Sequence, residues 1–233
     1  MKSKKFHDVL YVYSGKLKSN SGGIDLVVRQ EIQALVDKNY HVTLFSRGQF
    51  IHPKVKNISF RITPANLISF LPARYYYHAQ HRFFAFVAGI FLIFNKFDLV
   101  VGWQQQSNFL FKIAKNKSIK MVLNCPVTHY AWGRGSVNQP NFSWPNISNK
   151  YIEKEYHLAE KILVASDFAK STFLENDVPE NKIFVIGRGA DTKRFFPLNR
   201  NSNKFRVVFF GRASERKGIV QALEAWRLAS IKN

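Results

Sequence analysis

Short apolar runs alternate along this chain with stretches whose apolar residues recur every third or fourth position. A run from His7 to Ser14, built on Val9, Leu10, Tyr11 and Val12, predicts a first strand. Ile24, Val27, Val28, Ile32, Leu35 and Val36 then mark one face of a helix over Ile24 to Lys38. Strands are expected at His41 to Phe45 and Asn57 to Ile62, then a long helix from Ala73 to Asn95. The alternation continues with a strand at Phe97 to Val101, a helix at Ser107 to Lys115 and a strand at Ile119 to Asn124 that Pro126 ends. Gly133 to Pro145 is rich in Gly, Pro, Asn and Ser and reads as a long loop. Beyond it come a helix at Ile152 to Lys161, a strand at Ile162 to Ala165, a helix at Phe168 to Asn176 and a strand at Lys182 to Ile186.

Strands alternating with helices predict parallel strands crossed by helices, an α/β sheet of Rossmann-like type with helices on both faces. Residues 199–204, Asn-Arg-Asn-Ser-Asn-Lys, are polar without periodicity and read as a linker. A strand at Phe205 to Phe210 and a helix from about Lys217 follow, with Ile219, Ala222, Leu223, Trp226 and Ala229 on one face. One strand and one helix cannot cover a sheet. The expected division is therefore residues 1–198 as one domain and 205–233 as the opening β-α unit of an incomplete second Rossmann-like domain.

Charge changes this picture. The 233 residues carry 35 Lys and Arg against 15 Asp and Glu, a net +20. Between Lys38 and Ile152 there are fourteen basic residues and one acid, Asp98. Such a field draws polyanions. The same segment holds Arg74-Tyr75-Tyr76-Tyr77-His78 and Arg82-Phe83-Phe84. Cations beside aromatics fit docking on anionic lipid, or stacking on single-stranded nucleic acid, or a solvated basic face. No zinc-finger, RRM or helix-turn-helix pattern supports nucleic acid, so it is not an expected partner. Phe83 to Phe94 is an unbroken apolar run of twelve residues between Arg82 and Asn95-Lys96. A membrane span needs roughly twenty, so the run predicts a buried or interfacial helix. One cysteine, Cys125, excludes a disulfide framework and a multi-cysteine zinc site. With no signal-peptide pattern, the expected setting is cytoplasmic, and peripheral on the inner face of the cell membrane if the basic face docks.

Three stretches carry candidate chemistry. Ser21-Gly22-Gly23 precedes the first helix, where glycines permit close backbone approach and free N–H groups attract phosphate. It matches neither a Walker loop nor a GxGxxG turn, and Ser21 as a simple cap explains it as well. Gly211-Arg212 through Lys217-Gly218 also joins a strand to a helix, so that Arg212 and Lys217 either grip a diphosphate or form a solvated turn with Glu215. His129 follows the strand that ends near Asn124, where ligands of parallel sheets collect. A lone histidine is more often structural; with Cys125 it makes only a remote case for a thiol nucleophile. No two aspartates stand two apart, and the histidines have no nearby carboxylates with which to hold a metal.

Taken in order, Ser21-Gly22-Gly23-Ile24, His41-Val42-Thr43-Leu44, the run from Ala165-Ser166-Asp167 through Val178-Pro179-Glu180 to Gly189-Ala190-Asp191 and Phe196-Pro197, and the Gly211-Arg212 to Lys217-Gly218 stretch resemble glycosyltransferase family 4. These are retaining sugar-nucleotide transferases of the GT-B fold. The resemblance implies transfer of a hexose from a nucleotide-diphosphate sugar to a hydroxyl of a lipid-linked or cell-envelope glycan. It assigns the donor diphosphate to Arg212, Lys217, Gly22 and Gly23, and a place beside the transferred sugar to His129. The face bearing Arg74, Tyr75, Tyr76, Tyr77 and Arg82 would meet acceptor or membrane. No metal and no other cofactor is implied. The family's Glu-x7-Glu motif has no counterpart: Glu215 and Glu224 are nine apart and too early. The resemblance therefore implies a chain truncated early in the donor domain, with weak donor binding on its own. The alternatives are an inactive basic module that binds membrane or partner, and one half of a two-chain transferase.

Overall fold

The computed structural model describes residues 8–17, 23–132, 146–187, 189–190, 192, 195–197, 206–211, 213 and 217–229. Chain contacts divide it into two units, residues 1–188 and 189–233.

The first unit is built on seven strands: β1 (Asp8–Val12), β2 (His41–Ser46), β3 (Val55–Ser59), β4 (Leu99–Trp103), β5 (Lys120–Cys125), β6 (Lys161–Val164) and β7 (Ile183–Val185). They form one sheet in the order β3-β2-β1-β4-β5-β6-β7, and every neighbouring pair is parallel. The helices are α1 (Ile24–Asp37), α2 (Ala73–Phe94), α3 (Asn108–Asn116), α4 (Asn146–Leu158) and α5 (Asp167–Leu174).

Alternation within the strands sends side chains to two separate cores. Val9, Tyr11, Val42, Leu44, Val101 and Trp103 pack against Val28, Ile32 and Val36 of α1. Leu10, Val12, Phe45, Val100, Leu123 and Ile162 face the other way, against α2, α3, α4 and α5. The spacing of Val28, Ile32 and Val36 places one buried residue per helical turn, which is why α1 buries a single stripe. Asn39 then adopts φ 64°, the left-handed conformation that stops a helix. Ser166 caps α5 by accepting the Ala169 amide at 3.1 Å.

Several boundaries differ from the sequence expectation. The third strand lies at Val55–Ser59 instead of Asn57 to Ile62, because Thr63 and Asn66 form a capping box that starts a short 3-10 helix at Pro64–Ile68. The strand expected at Phe97 to Val101 is shifted to Leu99–Trp103, since Gly102 and Trp103 extend the pairing with β5. α4 begins at Asn146 and ends at Leu158, earlier than Ile152 to Lys161. The loop expected from Gly133 to Pro145 lies outside the described residues.

In the second unit, α6 (Ile219–Ala229) forms after Gly218, whose φ is 72°. Residues 206–210 pair with no strand and are exposed, contrary to the strand expected over Phe205 to Phe210. A strand is defined by a ladder partner, and the described residues of this unit offer none. Among the described residues no helix is long and apolar enough to cross a membrane.

Candidate functional site

Strand order reverses at β1. From there the chain builds outward through β2 to β3, then returns through α2 to β4 on the opposite side. The carboxyl ends of β1 and β4 therefore flank the topological switch point, the place where open parallel sheets hold ligands.

Amide side chains cluster beside the carboxyl ends of β1 and β4. Beyond Trp103 the chain reads Gln104-Gln105-Gln106. Gln106 Oε1 accepts the Ser14 amide at 2.7 Å, and Gln80 Nε2 of α2 donates to the Ser14 carbonyl at 2.6 Å. Arg47, just beyond β2, donates to Gln80 Oε1 at 2.8 Å and lies over the Tyr76 ring at 5.8 Å. The β1 exit loop is thus fixed from two directions. Gln105 sits at φ 74°, a conformation that costs a non-glycine residue energy unless its surroundings enforce it.

Glu155 of α4 supplies that enforcement. It is fully buried and accepts the amides of Gln105 at 2.6 Å, Ser107 at 2.7 Å and Asn108 at 3.0 Å. Burial pushes its pKa up to about 8, although the three donors favour the charged form. Gly102 makes room for this turn: a Cβ there would lie 2.1 Å from Ser107 Oγ.

A second polar cluster lies beneath the crevice on the α1 side. Tyr11 donates its hydroxyl to Glu31 Oε2 at 2.5 Å and accepts from Trp103 Nε1 at 3.0 Å. Asn124 Nδ2 reaches Glu31 Oε2 at 2.8 Å. Tyr13 donates to Asp25 Oδ1 at 2.7 Å, and its ring packs on Trp103 with centroids 5.3 Å apart.

The residues singled out in the sequence fall in several places. Gly23 is the residue before α1 and has φ 67°, which favours glycine. Gly22 and Arg212 lie outside the described residues. Lys217 is exposed beside the start of α6, in the second unit. His129 is only 6% exposed, with its ring against Tyr130, Tyr156 and Phe173. Its amide donates to Thr172 Oγ1 at 3.0 Å and its Nδ1 accepts the Ala131 amide at 3.3 Å. These contacts make the ring part of the packing between α4 and α5. Cys125 is buried and its thiol pKa is raised by burial and by Glu155, the reverse of an activated nucleophile.

The Arg74 to Arg82 segment forms the first turns of α2. Tyr75 and Tyr77 are exposed, Tyr76 is half-buried beneath Arg47, and Arg82 stacks on Tyr151 at 3.9 Å. Sequence reasoning missed Gln80, Gln104, Gln105, Gln106 and Glu155. Three successive glutamines after a Val-Val-Gly-Trp run were the available signal.

The family model for Glycosyltransferase Family 4 matches residues 21–194. The chain belongs to glycosyltransferase family 4. No curated protein sequence matches it. Among solved structures it is similar to WaaG, a glycosyltransferase involved in lipopolysaccharide biosynthesis, at 12% identity and a TM-score of 0.57, covering 80% of this chain and 46% of that one. It is also similar to Phytolacca americana UGT2 complexed with UDP-2fluoro-glucose and pterostilbene, at 13% identity and a TM-score of 0.55, over 81% of this chain and 56% of that one. The S. aureus MnaA-UDP structure matches at 12% identity and a TM-score of 0.50, over 84% and 48%. The family 4 chain thus spans about half the length of these solved relatives, and shares with them the Rossmann-like domain of the GT-B fold.

Proposed function

We propose that this chain is the acceptor-side part of a transferase that moves a hexose from a nucleotide-diphosphate sugar to a hydroxyl of a lipid-linked or cell-envelope glycan, with the anomeric configuration kept. The observation that carries the reading is the family match over residues 21–194, which takes in six of the seven strands of the sheet, β2 to β7. Structures of similar fold were solved with UDP or a UDP-sugar, which supports a nucleotide-sugar partner.

In this reading Arg212 and Lys217 clasp the diphosphate, where negative charge grows as the sugar departs. Gly22 and Gly23 give the donor close access to backbone amides. Gln105, the half-buried member of the glutamine run, suits neutral sugar hydroxyls, since an amide both donates and accepts. The reaction needs no metal, in keeping with the missing Asp-x-Asp pair.

A second reading, a non-catalytic basic module on an anionic membrane, is favoured by the exposed Leu67, Phe70, Tyr75 and Tyr77 around the start of α2.

The test incubates the chain with UDP- and GDP-hexoses labelled in the sugar, with and without a lipid extract. Label in an alkali-stable lipid or glycan product, lost in Arg212→Ala and Lys217→Ala, supports transfer. An epimerised sugar nucleotide with no labelled acceptor would overturn it. Vesicle binding without turnover, unchanged in both variants, would favour the second reading.

A further inference from the structure

A pocket of about 260 Å³ opens beside the crevice, between α2, α3 and α4. Arg82 and Lys112 stand at it with His78, Gln105, Asn108 and Tyr151, while Ala85, Phe86 and Phe109 form an apolar wall. Its two cations have no carboxylate partner among the described residues, and neither belongs to the ion pairs of Asp8, Glu160 and Glu180. Glu155, on the same helix as Tyr151, is engaged by the backbone amides of Gln105, Ser107 and Asn108.

Arg82 is held by the Tyr151 ring beneath it, 3.9 Å from its guanidinium carbon. Stacking occupies the face of the guanidinium and leaves its in-plane N–H donors for an anion. Lys112, exposed on α3, supplies a second positive charge. Backbone packing keeps the walls close: a Cβ on Gly89 of α2 would lie 2.6 Å from the Phe109 ring.

One further feature points to the ligand. Phe86, at the pocket wall, is 53% exposed and packs on Phe109 with centroids 5.3 Å apart. Ile90, Ile93 and Phe94 continue from it along the exposed side of α2. At 1.5 Å per residue, the stripe from Arg82 to Ile93 runs about 16 Å. A cationic pocket at one end of an exposed apolar stripe matches a molecule with an anionic head and a hydrocarbon tail.

We infer that this pocket binds one phosphate-bearing amphiphile, with the phosphate between Arg82 and Lys112 and the hydrocarbon chain over Phe86 along α2. A volume of this size admits a headgroup and not a whole lipid, so the tail must leave by the stripe. The inference deepens the acceptor side of the transferase reading and rests on it for the ligand's role, whereas binding itself is independent of turnover.

The test titrates the intact chain calorimetrically with decyl phosphate, decyl maltoside and inorganic phosphate, each below any micelle concentration. Saturable binding of one decyl phosphate is expected, at least about tenfold tighter than either comparison ligand. Lys112→Gln, an exposed substitution, should weaken it several-fold. Arg82→Gln with Lys112→Gln should weaken it more than about tenfold while leaving decyl maltoside unchanged. Phe86→Ser should bring decyl phosphate down towards inorganic phosphate. Circular dichroism establishes that each variant is folded. Equal affinity for decyl phosphate and decyl maltoside, inorganic phosphate as tight as decyl phosphate, or a folded double variant that binds like the native chain would each overturn the inference. No sugar nucleotide is present, so failure here leaves the transferase reading standing, and failure of labelled transfer leaves this pocket standing.

Discussion

Glu155 and Ser107 are 48 residues apart in sequence, yet the carboxylate of one accepts the amide of the other at 2.7 Å. This bond and its two companions tie α4 to the loop leaving β4, the loop that carries the crevice glutamines. Because burial raises the Glu155 pKa from 4.5 to about 8, the folded state holds this proton more tightly than the unfolded chain. Its stabilising contribution is complete below about pH 4.5 and is lost as pH rises through 8. His81 has the opposite sign. Desolvation, chiefly, lowers its pKa to about 4, so its contribution appears as pH rises to 6.5. The interval from 6.5 to 8 therefore isolates Glu155. Denaturation midpoints should fall across that interval, and Glu155→Gln should flatten the slope. An unchanged slope in the variant would remove Glu155 as its source.

Gly102 is the residue that lets Ser107 approach β4. A Cβ there would meet Ser107 Oγ at 2.1 Å and Ser107 Cβ at 2.9 Å, and both atoms sit in a packed interior that yields little. Gly102→Ala should cost about 1–3 kcal/mol, as overpacking does. Adding Ser107→Gly should restore part of the loss, less a remainder from Phe111, 3.1 Å from the same Cβ. Urea denaturation of the single and double variants measures both quantities. Additive losses would show that the two residues do not meet.

The α/β alternation, the parallel sheet and the long helix from Ala73 were legible because apolar periodicity records which face each residue buries. The crevice was not. Its geometry depends on Glu155 turning inward from a helix that reads as polar and charged, and on a left-handed Gln105, neither of which any local pattern announces. His129 shows the converse limit. Its place after β5 follows from the strand pattern, but the ring's enclosure by Tyr130, Tyr156 and Phe173 comes from elements distant in sequence. Likewise the Gly-Gly turn was visible as composition, while its geometry at Gly23 needed a backbone.

Tyr11 is the hub of the buried polar cluster under β1. Its hydroxyl serves Glu31 and Trp103 together, and Asn124 approaches the same carboxylate. Tyr11→Phe removes that oxygen and leaves Trp103 Nε1 buried without this acceptor. The cost should be about 1–3 kcal/mol, the penalty of an unsatisfied buried donor. Trp103 fluorescence should shift in the folded variant, because its indole loses this hydrogen bond. A stability equal to the native chain would show that water or a neighbour replaces the hydroxyl.

Cys125 is 1% exposed at the end of β5, and burial raises its thiol pKa. Reaction with a thiol reagent at pH 8 requires the thiolate. Labelling should therefore be slow in the folded chain and fast in urea, with the rate following the fraction unfolded. Fast labelling without denaturant would return Cys125 to the list of reactive groups.

The surplus of positive charge is partly structural. Lys117, just beyond α3, places its ammonium 2.6, 2.9 and 3.1 Å from the carbonyls of Leu92, Ile93 and Asn95. These are carbonyls at the carboxyl end of α2, where the helix leaves acceptors unpaired and its dipole is negative. Lys182 does the same for α4, 3.0 Å from the His157 carbonyl. Neither cation is then spare for an anionic surface, whereas Lys112, with no such carbonyl contact described, is. Lys117→Met should keep the aliphatic packing, lose the cap and cost about 1 kcal/mol. Affinity for anionic vesicles should change little in Lys117→Met and fall clearly in Lys112→Met. A vesicle affinity that drops equally in both would mean that net charge alone governs binding, whatever each lysine contacts.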